Sequence, residues 1–266
     1  ICVPTTFHKA VMLECASLGI PALVEKPVAS TVEEADEMVA AAERARVPFL
    51  VGHIERFNPA VARAKKLVSD RALDSIFLMA SERVGPNPGR PSDVSVVIDL
   101  GVHDIDIMQH LLGQNVVSVY AKTGRVSMKS VDDLCEAFLT FADGTVGHLR
   151  TNWLTPTKIR KLKIFGKTGM LDLDYISQDV YFYENKPAPE SPDYGKNFFG
   201  VGEGEMRKLV IRKEEPLRLE LRHFLDCAAR KAQPAISVRD GRKALQVACA
   251  IRESAAAGKP VEIQPG

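Results

Sequence analysis

A lysine at the end of a short apolar run offers the first chemistry in this chain. Glu25-Lys26-Pro27 follows Ala22-Leu23-Val24, and in open α/β sheets ligands sit at the carboxyl ends of strands. Far along the sequence, Asp99, His103, Asp106 and His110 follow one another at i, i+4, i+7 and i+11. On a helix the first two have Cβ atoms about 5–6 Å apart, so the carboxylate can orient the imidazole toward one ligand and stabilise its charged form. With the lysine facing the same ligand, this acid/base pair suggests proton-coupled chemistry on a bound substrate. A metal site is the weaker reading of this stripe. Ligands from i to i+11 spread over about 16 Å of straight helix, and His53, His148 and His223 add no ligand spacing, so no metal is expected.

Other polar residues gather at neighbouring strand ends. Pro4-Thr5 closes the apolar start Ile1-Cys2-Val3, and Gly52-His53-Ile54-Glu55-Arg56-Phe57-Asn58-Pro59 closes another apolar run. Asn58 suits a helix N-cap with Pro59 at N1, while Arg56 suits either an anionic ligand or an acidic neighbour. Asn152-Trp153 holds the only tryptophan, with Arg160 and Lys161 close behind. A lone tryptophan on a sheet is usually core, but beside basic groups it also suits a sugar or a nucleotide phosphate.

These residues need elements to hold them. Residues 6–18 carry a helical stripe ending at Gly19, residues 22–24 read as a buried strand, Ser30-x-x-Glu33 reads as a capping box for a helix to about residue 46, and residues 49–51 read as a strand. Such alternation belongs to a parallel sheet with crossover helices. From residue 53 the texture changes. A helix over 59–70 precedes strand-like runs at 75–84, 116–125, 132–141, 145–154, 158–165, 170–175 and 179–183, with Asp143-Gly144 as a hairpin turn. Helices are expected over 96–112, 216–231 and 238–257, and a long surface loop over 185–204. The fold class is therefore α/β plus α+β. Residues 1–52 are doubly wound in character, and residues 53–266 are α+β with one broad, mainly antiparallel sheet. No G-x-G-x-x-G occurs, so either the fold lacks nucleotide binding or its first half is missing.

Composition narrows the partner. A chain of 266 residues with 45% hydrophobic content supports substantial cores, and 35 basic against 34 acidic residues leave a net charge of +1. That balance gives no footprint for nucleic acid or an anionic membrane, which points to a small molecule. Five scattered cysteines without C-x-x-C spacing, and no apolar run near ~20 residues, point to a reduced, cytoplasmic protein.

Taken together, Val3-Pro4-Thr5 with His8, Glu25-Lys26-Pro27, Arg56-Phe57-Asn58-Pro59 and Asp99-x-x-x-His103-x-x-Asp106 resemble the Gfo/Idh/MocA family, NAD(P)-dependent dehydrogenases of sugars and polyols. The resemblance spans the whole chain. It implies that residues 1–52 are the C-terminal part of a Rossmann domain, in a fragment lacking the upstream βαβ units and poor in turnover alone, and that residues 53–266 are an α/β domain whose large, mainly antiparallel open sheet supports homodimers or homotetramers, with NAD or NADP as cofactor. It implies Lys26, Asp99 and His103 as catalytic residues, and Pro4, Thr5, His8, Glu25, Lys26 and Arg56 along the cofactor. Asn58, Asp106, Asn152, Trp153 and Arg160 would face the substrate, with Arg83, Arg90, Arg160 and Lys161 as candidate diphosphate contacts. The phrases GHIERFNPAV, DLGVHDIDIM and TNWLTPTKIRKL are similar to the nucleotide-sugar branch, which implies oxidation at C3 of a UDP-N-acetylhexosamine. The rival reading is a catalytically silent nucleotide-sugar-binding or regulatory protein on the same scaffold.

Overall fold

The computed structural model describes residues 1–87, 89, 94–187 and 201–264, without the side chains of 187 and 201–203. A 3₁₀ turn, Thr5–Phe7, leads into α1 (His8–Ser17), which ends where Gly19 takes a left-handed φ of 67°. Glycine meets that geometry without a Cβ clash. Strands β1 (Ala22–Glu25) and β2 (Phe49–Gly52) pair in parallel, Glu25 opposite Gly52, with α2 (Val32–Arg44) crossing between them. The cap of α2 lies one residue beyond the expected Ser30-Glu33 box. Thr31 Oγ1 accepts from the Glu34 amide at 3.2 Å, and Glu34 Oε2 takes the Ser30 amide.

The second unit opens with α3 (Pro59–Ser69) and builds a nine-stranded sheet from β3 (Ile76–Pro86), β4 (Val116–Gly124), β5 (Leu134–Phe141), β6 (Val146–Asn152), β7 (Leu154–Gly166), β8 (Gly169–Asp174), β9 (Asp179–Pro187), β10 (Val201–Lys208) and β11 (Val261–Glu262). Its order is β10-β9-β8-β7-β3-β6-β5-β4-β11, and every neighbour is antiparallel except β3 and β6. Asp143-Gly144 makes the expected turn between β5 and β6, with Gly144 at φ 86°.

The loop expected over 185–204 is replaced at both ends by strand: β9 runs on to Pro187 and β10 starts at Val201, with residues 188–200 outside the described set. An edge strand needs only its neighbour's backbone. Gly202 and Gly204 hide the alternation that would have announced it, and a bulge between Glu203 and Met206 interrupts the register.

One face of the sheet is covered by helices. After α4 (Val102–Leu112) and α5 (Pro216–Ala228), the long α6 (Val238–Ala257) packs on β4, on α4, and also on α2 and β2. At that crossing Gly241 lets the backbone approach Val28 and Val51. The C-terminal helix thus joins both units through one continuous apolar core. The other face is open and carries exposed Phe77, Tyr120 and Phe138. Among the described residues no helix is long and apolar enough to cross a membrane.

Candidate active site

The parallel pair β1 and β2 ends with Glu25 opposite Gly52, which sets Lys26 and His53 side by side at the carboxyl ends of the two strands. Lys26, joined to Pro27 by a cis peptide, reaches across to the second unit. Its Nζ donates to Asp99 Oδ1 at 3.0 Å and to the Asp99 carbonyl at 2.7 Å, with both side chains mostly buried. The two units are thereby tied together at the point where a ligand would enter.

Asp99 and His103 do not share the straight stripe that their spacing suggested. The helix begins with a π turn, Val97–Gly101, before α4 proper. A π turn takes in one residue more than an α turn, which shifts the phase by about 100°. Asp99 therefore turns to Lys26, and the expected carboxylate–imidazole contact is not formed. His103 Nδ1 is buried without a hydrogen-bond partner, and both ring nitrogens of His53, a residue only 1% exposed, are in the same condition. Burial, with the charges of Lys26, Arg83, His53 and Arg160, holds His103 well below the ordinary histidine range. Burial also lowers His53, opposed by Asp106 and Asp240. Both imidazoles are neutral at neutral pH, so each keeps one nitrogen lone pair for a proton.

Two buried ion pairs frame this centre. Arg83 Nε and Nη2 bind Asp104 at 2.6 and 3.2 Å, Nη1 binds Glu55 at 3.0 Å, and the guanidinium lies 5.0 Å from the Tyr175 ring centre. Arg83, expected as a diphosphate contact, is instead consumed in the core. Arg56 grips Asp106 at 2.9 and 2.6 Å and lies 3.4 Å from Asp240. The arginine meant for the cofactor and the aspartate meant for the substrate are thus turned to each other. Desolvating either charge alone would be costly, so each takes the other as partner.

Several further candidates are occupied locally. Asn58 caps α3 through Oδ1, and its Nδ2 donates to Glu55 and to the Tyr175 carbonyl. Asn152 Oδ1 accepts from the amides of Leu154 and Thr155 and from the Thr155 hydroxyl. Trp153 is buried in the core. The His8 ring lies 3.0 Å from the carbonyls of both Val3 and Pro27, bracing the segments that carry Pro4-Thr5 and Lys26. Arg160 Nη1 donates to the Val84 and Ile159 carbonyls while acting on His103 and Asp99. Lys161, the next residue along β7, faces the open side with Glu82, Arg150 and Lys163, because successive strand residues alternate faces. Arg90 lies outside the described residues.

A cleft of about 350 Å³ bordered by Thr5, Thr6, Pro27 and Ser95 could receive the nicotinamide end of a dinucleotide, and beside it the Ser95 hydroxyl is buried without a hydrogen-bond partner among the described residues. Hydroxyls and backbone at strand ends fit such a group. Among the described residues no three His, Cys, Asp or Glu are grouped to hold a metal ion. Two residues escaped the reading of the sequence. One is His53, whose signal was its place after an apolar run, as Lys26 follows another. The other is Glu220 on α5, 1% exposed and pushed up to about 7 by burial and by Glu25; no local pattern announces it.

Comparison with known proteins identifies relatives along the whole chain. The model of the oxidoreductase family with NAD-binding Rossmann fold matches residues 1–53, and the GFO/IDH/MocA C-terminal domain matches residues 61–172. UDP-N-acetylglucosamine 3-dehydrogenase of Acidithiobacillus ferrooxidans is 26% identical over 252 residues, covering 95% of this chain and 76% of the relative. Its solved structure superposes with a TM-score of 0.83 at 25% identity, over 97% of this chain and 78% of that one. Myo-inositol dehydrogenase of Streptomyces leeuwenhoekii is 29% identical over 270 residues, 96% of this chain and 77% of the relative. The fold also matches a levoglucosan dehydrogenase in complex with NADH, with a TM-score of 0.85 at 21% identity over 100% of this chain and 79% of that one.

Proposed function

This chain belongs to the Gfo/Idh/MocA family of NAD-binding sugar and polyol oxidoreductases, and from that premise we propose that it oxidises a secondary alcohol of a nucleotide sugar, at C3 of a UDP-N-acetylhexosamine. The bound nicotinamide supplies the hydride acceptor. The chain supplies the handling of the proton and of the developing negative charge. His103, neutral and set beside Lys26, takes the hydroxyl proton; Lys26, held by Asp99, steadies the alkoxide before it collapses to the ketone. The observation that carries this reading is the Lys26–Asp99 bridge with a neutral, half-buried imidazole one turn further along the helix. Similarity to the UDP-N-acetylglucosamine enzyme supports the substrate class.

The open sheet face supports a homodimer or homotetramer, since Tyr120 and Phe138 stand opposite one another on it and His148 stacks on Phe138. Five free cysteines fit a reducing cytoplasm.

The test is reduction of NAD⁺ or NADP⁺, followed at 340 nm, by the protein expressed from its complete reading frame. UDP-N-acetylglucosamine is expected to outperform myo-inositol. Lys26→Met and His103→Asn are each expected to lower kcat by about 10²–10⁴-fold, far more than they weaken cofactor affinity. Near-normal turnover in both variants would refute the assignment. Tight nucleotide-sugar binding without absorbance change would make the protein the silent binder instead.

A further inference from the structure

We propose that His53 is a positioning and proton-relay residue: it takes up, through a buried water, the proton that His103 receives from the substrate hydroxyl. This inference rests on the reading of His103 as the base. His53 follows β2 as Lys26 follows β1, in a parallel register that places them as neighbours. Its two ring nitrogens and Nδ1 of His103 are buried and make no hydrogen bond among the described residues. Three partnerless imidazole nitrogens in one polar interior are costly unless something small and polar joins them. A water with two to four polar contacts meets that need.

The charges around the two rings give the path a direction. The groups acting on His103 are the cations Lys26, Arg83 and Arg160, together with His53 itself. His53 feels Lys26 and Arg56 on one side but Asp106 and Asp240 on the other. A proton placed on His103 therefore sits among positive charges, whereas on His53 two carboxylates favour it. Asp240 is about one-third exposed and borders a surface cleft with His110 and Lys243, which opens a route to solvent away from the substrate side.

The step balances. The alcohol C–H passes as hydride to the nicotinamide, and the O–H proton goes to Nε2 of His103. The Nδ1 proton of His103 moves through the water to a ring nitrogen of His53, and the carbinol becomes a ketone. Before reaction His103 must then be the Nδ1–H tautomer, hydrogen-bonded toward His53, leaving the Nε2 lone pair to face the hydroxyl.

The test has two readouts. The tautomer and titration of the His103 ring are followed by ¹⁵N–¹H NMR in the full-length protein without substrate, comparing wild type with His53→Ala and His53→Asn. Wild type is expected to show the Nδ1–H tautomer, and His53→Ala a mixture; an unchanged tautomer in His53→Ala overturns the proposal whatever the activity. In turnover, His53→Ala is expected to lose about 10- to 100-fold in kcat with little change in KM, the lower part of what positioned proton transfer contributes, and added imidazole is expected to restore part of the rate. His53→Asn retains polarity but cannot relay, so normal kcat in that variant, with a wild-type melting temperature, would also overturn it. A His103→Asn enzyme with full activity would sink the underlying reading instead.

Discussion

Asp104→Asn is expected to destabilise the protein by about 2–3 kcal/mol. The substitution keeps the shape of the side chain and removes one negative charge facing Arg83. Both residues are almost fully buried, and the guanidinium makes two contacts with the carboxylate, at 2.6 and 3.2 Å. Breaking a buried ion pair by deleting one partner typically costs about 3–5 kcal/mol. Here the loss is smaller, because Glu55 still faces Nη1 at 3.0 Å and the amide oxygen still accepts one bond. With an unfolding entropy of about 2.1 cal/mol/K per residue over 266 residues, that loss lowers the melting temperature by about 4–5 °C. Circular dichroism melts at pH 7 measure it directly. The double variant Arg83→Met with Asp104→Leu removes both charges and is expected to recover most of the loss, since partly exposed Glu55 can turn to solvent. It also removes one of the cations that hold His103 down, so the His103 titration should move upward in the double variant and not in Asp104→Asn. A melting temperature for Asp104→Asn within about 1 °C of wild type, or a double variant less stable than the single, would refute the argument.

Acid sensitivity follows from the buried imidazoles. Burial lowers His53, His103 and His110, the last to about 4. Each stays neutral in the fold while its unfolded counterpart takes up a proton near pH 6.5. Their contribution is therefore complete above about pH 6.5 and is lost as pH falls below it, for His110 down to about 4, at up to about 1.4 kcal/mol per pH unit for each group; denaturant midpoints measured from pH 4 to 8 should show this slope. Glu220 acts in the opposite sense. Raised to about 7 by burial, it keeps a proton that the unfolded chain has lost above about 4.5, so it costs stability as pH rises through that interval. Glu220→Gln should raise the melting temperature at pH 8 and hardly change it at pH 5. Gly241→Val, whose Cβ would stand 3.1 Å from Val28 and Val51 side-chain atoms, is expected to cost about 1–3 kcal/mol by overpacking, measured by the same melts.

Helices and strands were legible where one period dominates. The Phe49-Leu50-Val51 run, the Asp143-Gly144 hairpin and the Asn58-Pro59 helix start all carry local signals that the backbone obeys. The edge strand β10 was not legible, because its pairing draws on the backbone of β9 and not on its own side-chain alternation. The same limit applies to the π turn at Val97–Gly101, where tertiary contact across to Lys26 accompanies a change of pitch that residue spacing does not reveal.

At the site, its place at the end of a parallel strand was enough to make Lys26 a candidate, and helical spacing made Asp99 and His103 candidates; the structure brings Lys26 to Asp99. Their partners were decided by folding. Lys26 with Asp99, Arg56 with Asp106 and Arg83 with Asp104 are pairs separated by 73, 50 and 21 residues. A charge withdrawn from water takes whichever opposite charge the packed elements bring near it, and that choice is written in the three-dimensional meeting of strands and helices. The composition could show that such charges exist; only the closing of the core determined which were spent on one another and which groups, like both ring nitrogens of His53 and Nδ1 of His103, were left without a partner among the described residues.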